Sequence, residues 1–314
     1  MSTAQASPAN TMYTSDDPRS KLSSGSAVSG GTAAMKGFGP SSYALFGSTP
    51  PQIDDATGQT WLTRGQNFVV AYTRAKPGAT FERKGQVDEY VLLIEDEDVP
   101  ATISANGQNE SVPGYSLVIV PPGDSSITFP KGGEFVRLFS RDNEDLTALC
   151  SNAETYAQQH PNIPPFVKWP EPPAGYKIRV YSLDVPEVQG RFGRLWRCTT
   201  FMVNVFYPVG PRDPEALSPH HHDDFEQCSL ALGGSYTHHL RWPWTSKQSE
   251  WREDEHEVCP APSVAVIPAK SIHTSACTAP EDNRLVDIFA PPRHDFSKME
   301  GWVLNADEYP VPAE

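Results

Sequence analysis

The chain has 314 residues, with 39 acidic against 25 basic side chains for a net charge of −14, and it carries 31 prolines, 22 glycines and five cysteines. So acidic a chain repels a phosphate backbone, and no basic stripe with interleaved aromatics offsets the repulsion, which argues against a nucleic-acid partner. No apolar run approaches the roughly 20 residues that span a bilayer. The scattered cysteines and the absence of a basic-then-apolar leader point to a cytoplasmic protein with reduced thiols and no membrane partner.

The length allows two domains of roughly 150 residues, and short Val-, Thr- and aromatic-rich runs between turn residues predict an all-β protein. Residues 1–40, rich in Ser, Ala, Gly and Thr, bury too little to order themselves and read as a flexible arm. Its expected docking points are Phe38, Tyr43, Leu45 and Phe46, with a partner subunit as the surface if the chain forms a homodimer or larger assembly. Strand-like runs follow at 68–72, 90–94, 116–120 and 135–139, spaced by turns as in a barrel or sandwich, so that 41–142 reads as a first domain. Residues 143–159 predict a helix capped by Asp142 or Asn143, with Leu146, Leu149 and Tyr156 on one side. Prolines in 161–173 then stiffen a linker, and a second domain runs over 175–314.

The second domain holds Pro219-His220-His221-His222-Asp223-Asp224-Phe225-Glu226, with Gly233 after six intervening residues. On an unbroken strand alternate side chains share a face, so His220, His222 and Glu226 would converge while His221 points away. A later patch, Pro268 to His273, supplies a candidate fourth ligand. Imidazoles with one carboxylate suit Fe, Mn, Zn, Ni or Cu and not a calcium-type oxygen cage.

Written as His-x-His-x3-Glu-x6-Gly and Pro-x4-His, the two patches resemble the signature motifs of the cupin superfamily. The resemblance implies double-stranded β-helix (jelly-roll) barrels and one divalent transition metal, Fe favoured, bound by His220, His222, Glu226 and His273. Two departures touch turn geometry: Lys270 stands where the second motif usually has Gly, and Cys277 where Asn often follows the last His. In the first half, Pro121-Pro122-Gly123-Asp124-Ser125-Ser126 has the form of that second motif with Ser126 in place of His, and Glu89 precedes an apolar strand as Glu226 does. Superposing the patches sets Arg83 against His220 and Gly85 against His222. The chain therefore reads as an internal duplication, a bicupin whose N-terminal half has lost its metal ligands.

Around the expected metal, one of His238 and His239 should face inward as an acid/base or a hydrogen-bond donor to substrate, and Arg241 is a candidate for binding a substrate carboxylate. Trp242, Trp244 and Trp251 read as packing residues more than as a ligand platform, and Cys228 as a small buried side chain. Asp287, a carboxylate amid apolar neighbours, must find a partner, whether a ligand His whose tautomer it fixes or Arg284 or Arg293. The resemblance leaves the reaction open. A quercetin-type dioxygenase-like oxidoreductase acting on a small oxygenated organic substrate is the first expectation, a non-redox isomerase, lyase or hydrolase the second, and non-catalytic binding of a small ligand the third.

Overall fold

The computed structural model describes residues 38–313. The first half contributes β1 (Ser42–Leu45), β2 (Ile53–Asp55), β3 (Gly58–Arg64), β4 (Phe68–Ala75), β5 (Ala79–Gln86), β6 (Tyr90–Ile94), β7 (Ala101–Ala105), β8 (Gln108–Val112), β9 (Ser116–Val120), β10 (Gly123–Phe129) and β11 (Gly133–Ser140). After the short helix α1 (Glu144–Thr147) come β12 (Arg179–Ser182), β13 (Arg194–Arg197), β14 (Met202–Val205), β15 (Glu226–Gly233), β16 (Ser235–Arg241), β17 (Glu255–Pro260), β18 (Ser263–Ile267), β19 (Ile272–Cys277), β20 (Arg284–Ala290) and α2 (His294–Ser297).

Two large antiparallel sheets have matching orders. One runs β12-β9-β6-β11-β4-β3-β2 and the other β1-β18-β15-β20-β14-β13, and smaller sheets, β5-β10-β7-β8 and β17-β16-β19, complete the two halves. The architecture is all-β, with the jelly-roll arrangement expected from the motifs. Strand alternation divides the large sheets into two faces. Val70, Val91, Leu93, Ile119, Val136 and Leu138 of one meet Val203, Cys228, Leu230, Val266, Val286 and Ile288 of the other in a single core between the halves. The opposite face of the first sheet, including Val69, Leu92, Val118, Phe135 and Phe139, packs with Ile103 and Ile127 of its small sheet. Burial on both faces explains why these strands read as continuous apolar runs.

Both ends of the expected domain division are crossed by strand exchange. β1 precedes the first half in sequence but pairs with β18 of the second, Tyr43 opposite Ala265, while β12 follows the linker but pairs with β9 of the first, Val180 opposite Val118. The end of the arm docks on this same chain: Phe38 packs edge-on against Trp242 at 6.2 Å, and the Tyr43 hydroxyl donates to Glu255 at 2.7 Å. The rest of the expected arm, 1–37, lies outside the described residues.

The long helix predicted over 143–159 is broken into α1 and a 3-10 turn at Ala153–Tyr156. Asn152 interrupts it, because its side chain accepts from the Arg64 amide and donates to the Arg64 carbonyl of β3. Asn143 is the N-cap of α1, as expected, but its side chain donates to Ser140 and makes no capping bond, and Leu149 is exposed. All five cysteines are buried and free. Among the described residues, no helix is long and apolar enough to cross a membrane.

Candidate functional site

Three imidazoles meet in the second half. His220 and His273 form an isolated antiparallel bridge that aligns the chain ahead of β15 with β19, their rings 4.5 Å apart, and the His222 ring lies 5.0 Å from His273 and 6.4 Å from His220. Each ring has its Nδ1 on a main-chain carbonyl: His220 on Ser218 at 2.9 Å, His222 on Phe225 at 3.0 Å and His273 on Ser271 at 3.0 Å. A carbonyl can only accept, so in the neutral form each ring carries its proton on Nδ1, which makes Nε2 the nitrogen that could ligate a cation. Burial, reinforced by His273 and Arg293, pushes the His222 pKa well below its ordinary value and so keeps this ring neutral.

His222 Nε2 faces the Gln227 amide oxygen at 3.1 Å. Gln227 in turn donates to Ser229 at 3.1 Å, and Ser229 donates to Asp287 at 2.6 Å, so a carboxylate on β20 fixes the amide from behind. The facing lone pairs of His222 and Gln227 repel unless the amide turns over or a cation lies between them. As the side chains stand, no three or more His, Cys, Asp and Glu among the described residues form a ready-made cage around one ion. The donor set itself, three Nε2 atoms and an amide oxygen, fits a borderline divalent transition metal. Beside it opens a cavity of about 460 Å³ whose walls include His220, Gln227, His273, Asp287, Arg212 and Arg293.

Searches by structure find relatives in fold. A structure of oxalate decarboxylase, solved for its substrate binding mode and reaction specificity switch, aligns with a TM-score of 0.52 at 15% identity over 79% of this chain and 76% of that one. Oxalate decarboxylase from Lactobacillus farciminis, in its formate complex, aligns with a TM-score of 0.51 at 15% identity over 81% and 87%. The fold is that of a bicupin. No protein-family model matches this chain, and no curated protein matches it in sequence.

One expected ligand is displaced. Glu226 is fully buried but turns to the opposite face of the sheet, where its oxygens accept from the Gln66 and Asn67 amides at 2.9 and 3.0 Å. Burial pushes its carboxyl up to about 7, against the pull of those two amides. Strand parity does not carry through to Glu226, because residues 221–225 are not strand and bend at 223–224; β15 starts only at Glu226, so Gln227 and not Glu226 looks toward the imidazoles. The Asp223-Asp224 pair, poor in strand propensity, was the available signal of that break.

Of the candidate catalytic residues, His238 faces inward, 1% exposed, with Nδ1 on the Ser275 hydroxyl at 2.8 Å. Burial, then His273 and His239, lowers its pKa to about 3, so it is a neutral imidazole. His239 and Arg241 are not in the cavity. Alternation along β16 turns His239 outward against His256, 2.7 Å away, and exposes Arg241 to a bidentate pair with Asp254. The guanidiniums that do reach the cavity are Arg212 and Arg293, from loops whose sequence gave no motif to single them out. Trp242 is buried under Arg252, whereas Trp244 and Trp251 stack on each other at the surface. In the first half of the bicupin a β-bulge between Gly123 and Ser125 makes Ser125, not Ser126, the inward residue, hydrogen-bonded to Tyr90.

Proposed function

We propose that the second half is a metal-dependent cupin enzyme, in which His220, His222 and His273 hold one divalent transition metal and the adjoining cavity takes a small oxygenated organic anion. The observation that carries this reading is the common tautomer of the three rings, each set by its own main-chain carbonyl. A metal bound there supplies Lewis acidity and, for iron or copper, one-electron redox chemistry. The side chains do the rest. Gln227, braced through Ser229 by Asp287, holds the donor set in place, while Arg212 and Arg293 orient the substrate's charge. Neutral His238 holds a fixed hydrogen bond to Ser275, whose side chain lines the cavity.

Displacing Glu226 matters for the reaction. A ligand set of neutral rings and an amide leaves the full charge of a dication facing the cavity, which favours an enolate or carboxylate. An electron-rich enolate is the substrate class of a dioxygenase-type oxidoreductase, and that is the reading adopted here. A non-redox isomerase or lyase is supported by one observation, the Asp287 carboxylate on the cavity wall, which besides accepting from Ser229 is the kind of group that takes a proton from a substrate C–H.

Elemental analysis of protein purified without chelator, beside its His222→Ala variant, tests the metal. Iron, copper or nickel near one per chain, lost in the variant, followed by oxygen uptake with a β-diketone, supports the dioxygenase; turnover under argon with zinc or manganese supports the second reading. Equal metal in both proteins would refute the ligand assignment.

A further inference from the structure

The first half carries a cation where the second carries an anion. Arg137 on β11 lies opposite Leu92, and Asp287 on β20 lies opposite Ser229. Leu92 follows Glu89 by three residues, as Ser229 follows Glu226, so Arg137 and Asp287 occupy corresponding positions on the inner faces of the two barrels. Tyr90 stands in the same way where the second half has Gln227.

Arg137 is partly buried, and among the described residues no ion pair joins it to a carboxylate. Its Nε is sealed from solvent without a hydrogen-bond partner among the described residues. Its Cζ lies 4.9 Å from the centre of the Phe81 ring and 5.7 Å from those of Phe135 and Phe139. The neighbouring guanidinium, Arg83, pairs with Asp145 at 2.6 Å. The ring faces attract the cation but accept no hydrogen bond in the guanidinium plane, so Nε still lacks the acceptor that an anionic oxygen would supply.

We propose that the N-terminal barrel, having no imidazoles, is a binding site for a small organic carboxylate, gripped by the Arg137 guanidinium and packed against the phenyl rings around it. The Tyr90 and Ser125 hydroxyls, 3.0 Å apart on the same inner face, add a polar edge to the site. This proposal does not depend on metal in the other half.

Calorimetric titration of metal-stripped protein with benzoate tests it, with benzamide as the uncharged control. A saturable event is expected with benzoate and absent with benzamide. It is weakened about tenfold or more by Arg137→Lys, which keeps the charge but loses the two-pronged geometry, and abolished by Arg137→Met. Arg293→Met, which alters the second cavity, should retain the event. Benzoate binding that persists unchanged in Arg137→Lys, or is lost in Arg293→Met alone, overturns the proposal, as does failure of the wild-type protein to bind. Should Arg137→Met not fold, as judged by circular dichroism, the lysine variant decides alone.

Discussion

Glu89 and Glu226 clasp the two halves together in opposite directions. Glu226, first residue of β15, accepts from the Gln66 and Asn67 amides in the turn between β3 and β4; Glu89, just before β6, accepts from the Thr199 amide at 3.1 Å and its hydroxyl at 2.9 Å in the corresponding turn between β13 and β14. Tyr309 adds a third donor to Glu89 at 2.7 Å. The residue that the motif would make a metal ligand serves here as one side of this reciprocal contact.

Glu226→Gln is therefore expected to leave bound metal unchanged while lowering stability by about 1–3 kcal/mol, since one acceptor of two main-chain donors becomes a donor itself. Denaturant unfolding and metal content measured on the same preparation check both halves of the expectation. Loss of metal with unchanged stability would contradict it.

Gln227→Glu should have the opposite profile. A carboxylate brought beside the Nε2 of His222 adds charge to the donor set, so competition with a chelator should show tighter metal retention, roughly tenfold or more. Binding of an anionic substrate should weaken in parallel, because the new charge repels it.

Much of this was legible in the sequence. The strands at 90–94 and 116–120 lie where the apolar runs and turns placed them, and the duplication is visible in the matching sheet orders. His220, His222 and His273 come together because the two motifs sit on chain segments that pair. What failed was parity carried through residues that are not strand: the bend at 223–224 moved Glu226 to the far face, and the bulge before Ser125 moved Ser126 outward. Strand exchange was hidden because β1 and β12 look like any other short strand until their partners are known.

His238 makes stability depend on acid. Its ring titrates at about 3 when folded, against an ordinary value near 6.5, so between these limits the unfolded chain binds one more proton. The contribution is complete above pH 6.5 and is lost as pH falls toward 3, with a slope of at most about 1.4 kcal/mol per pH unit. Chemical denaturation between pH 7 and 4.5 should show a shallower decline for His238→Asn than for wild type, the remainder coming from groups such as His222.

Lys270 holds a left-handed conformation, φ 72°, at the place where Gly123 of the first half has φ 102°. An L side chain there carries about 1 kcal/mol of strain, which Lys270→Gly should relieve. A melting temperature raised by roughly 2 °C is expected, with the main-chain contact from Lys270 to the His222 carbonyl kept.

The exchange of β1 and β12 makes the linker dispensable to cohesion. A protease that cuts within 164–174 would leave an N-terminal fragment whose β1 is still laced into the second sheet and a C-terminal fragment whose β12 is still laced into the first. The nicked protein should migrate as one particle until denatured. Either half expressed alone would instead present a bare sheet edge, β18 or β9, and the hydrophobic face that its partner had covered, so the two halves behave as an obligate pair encoded in tandem.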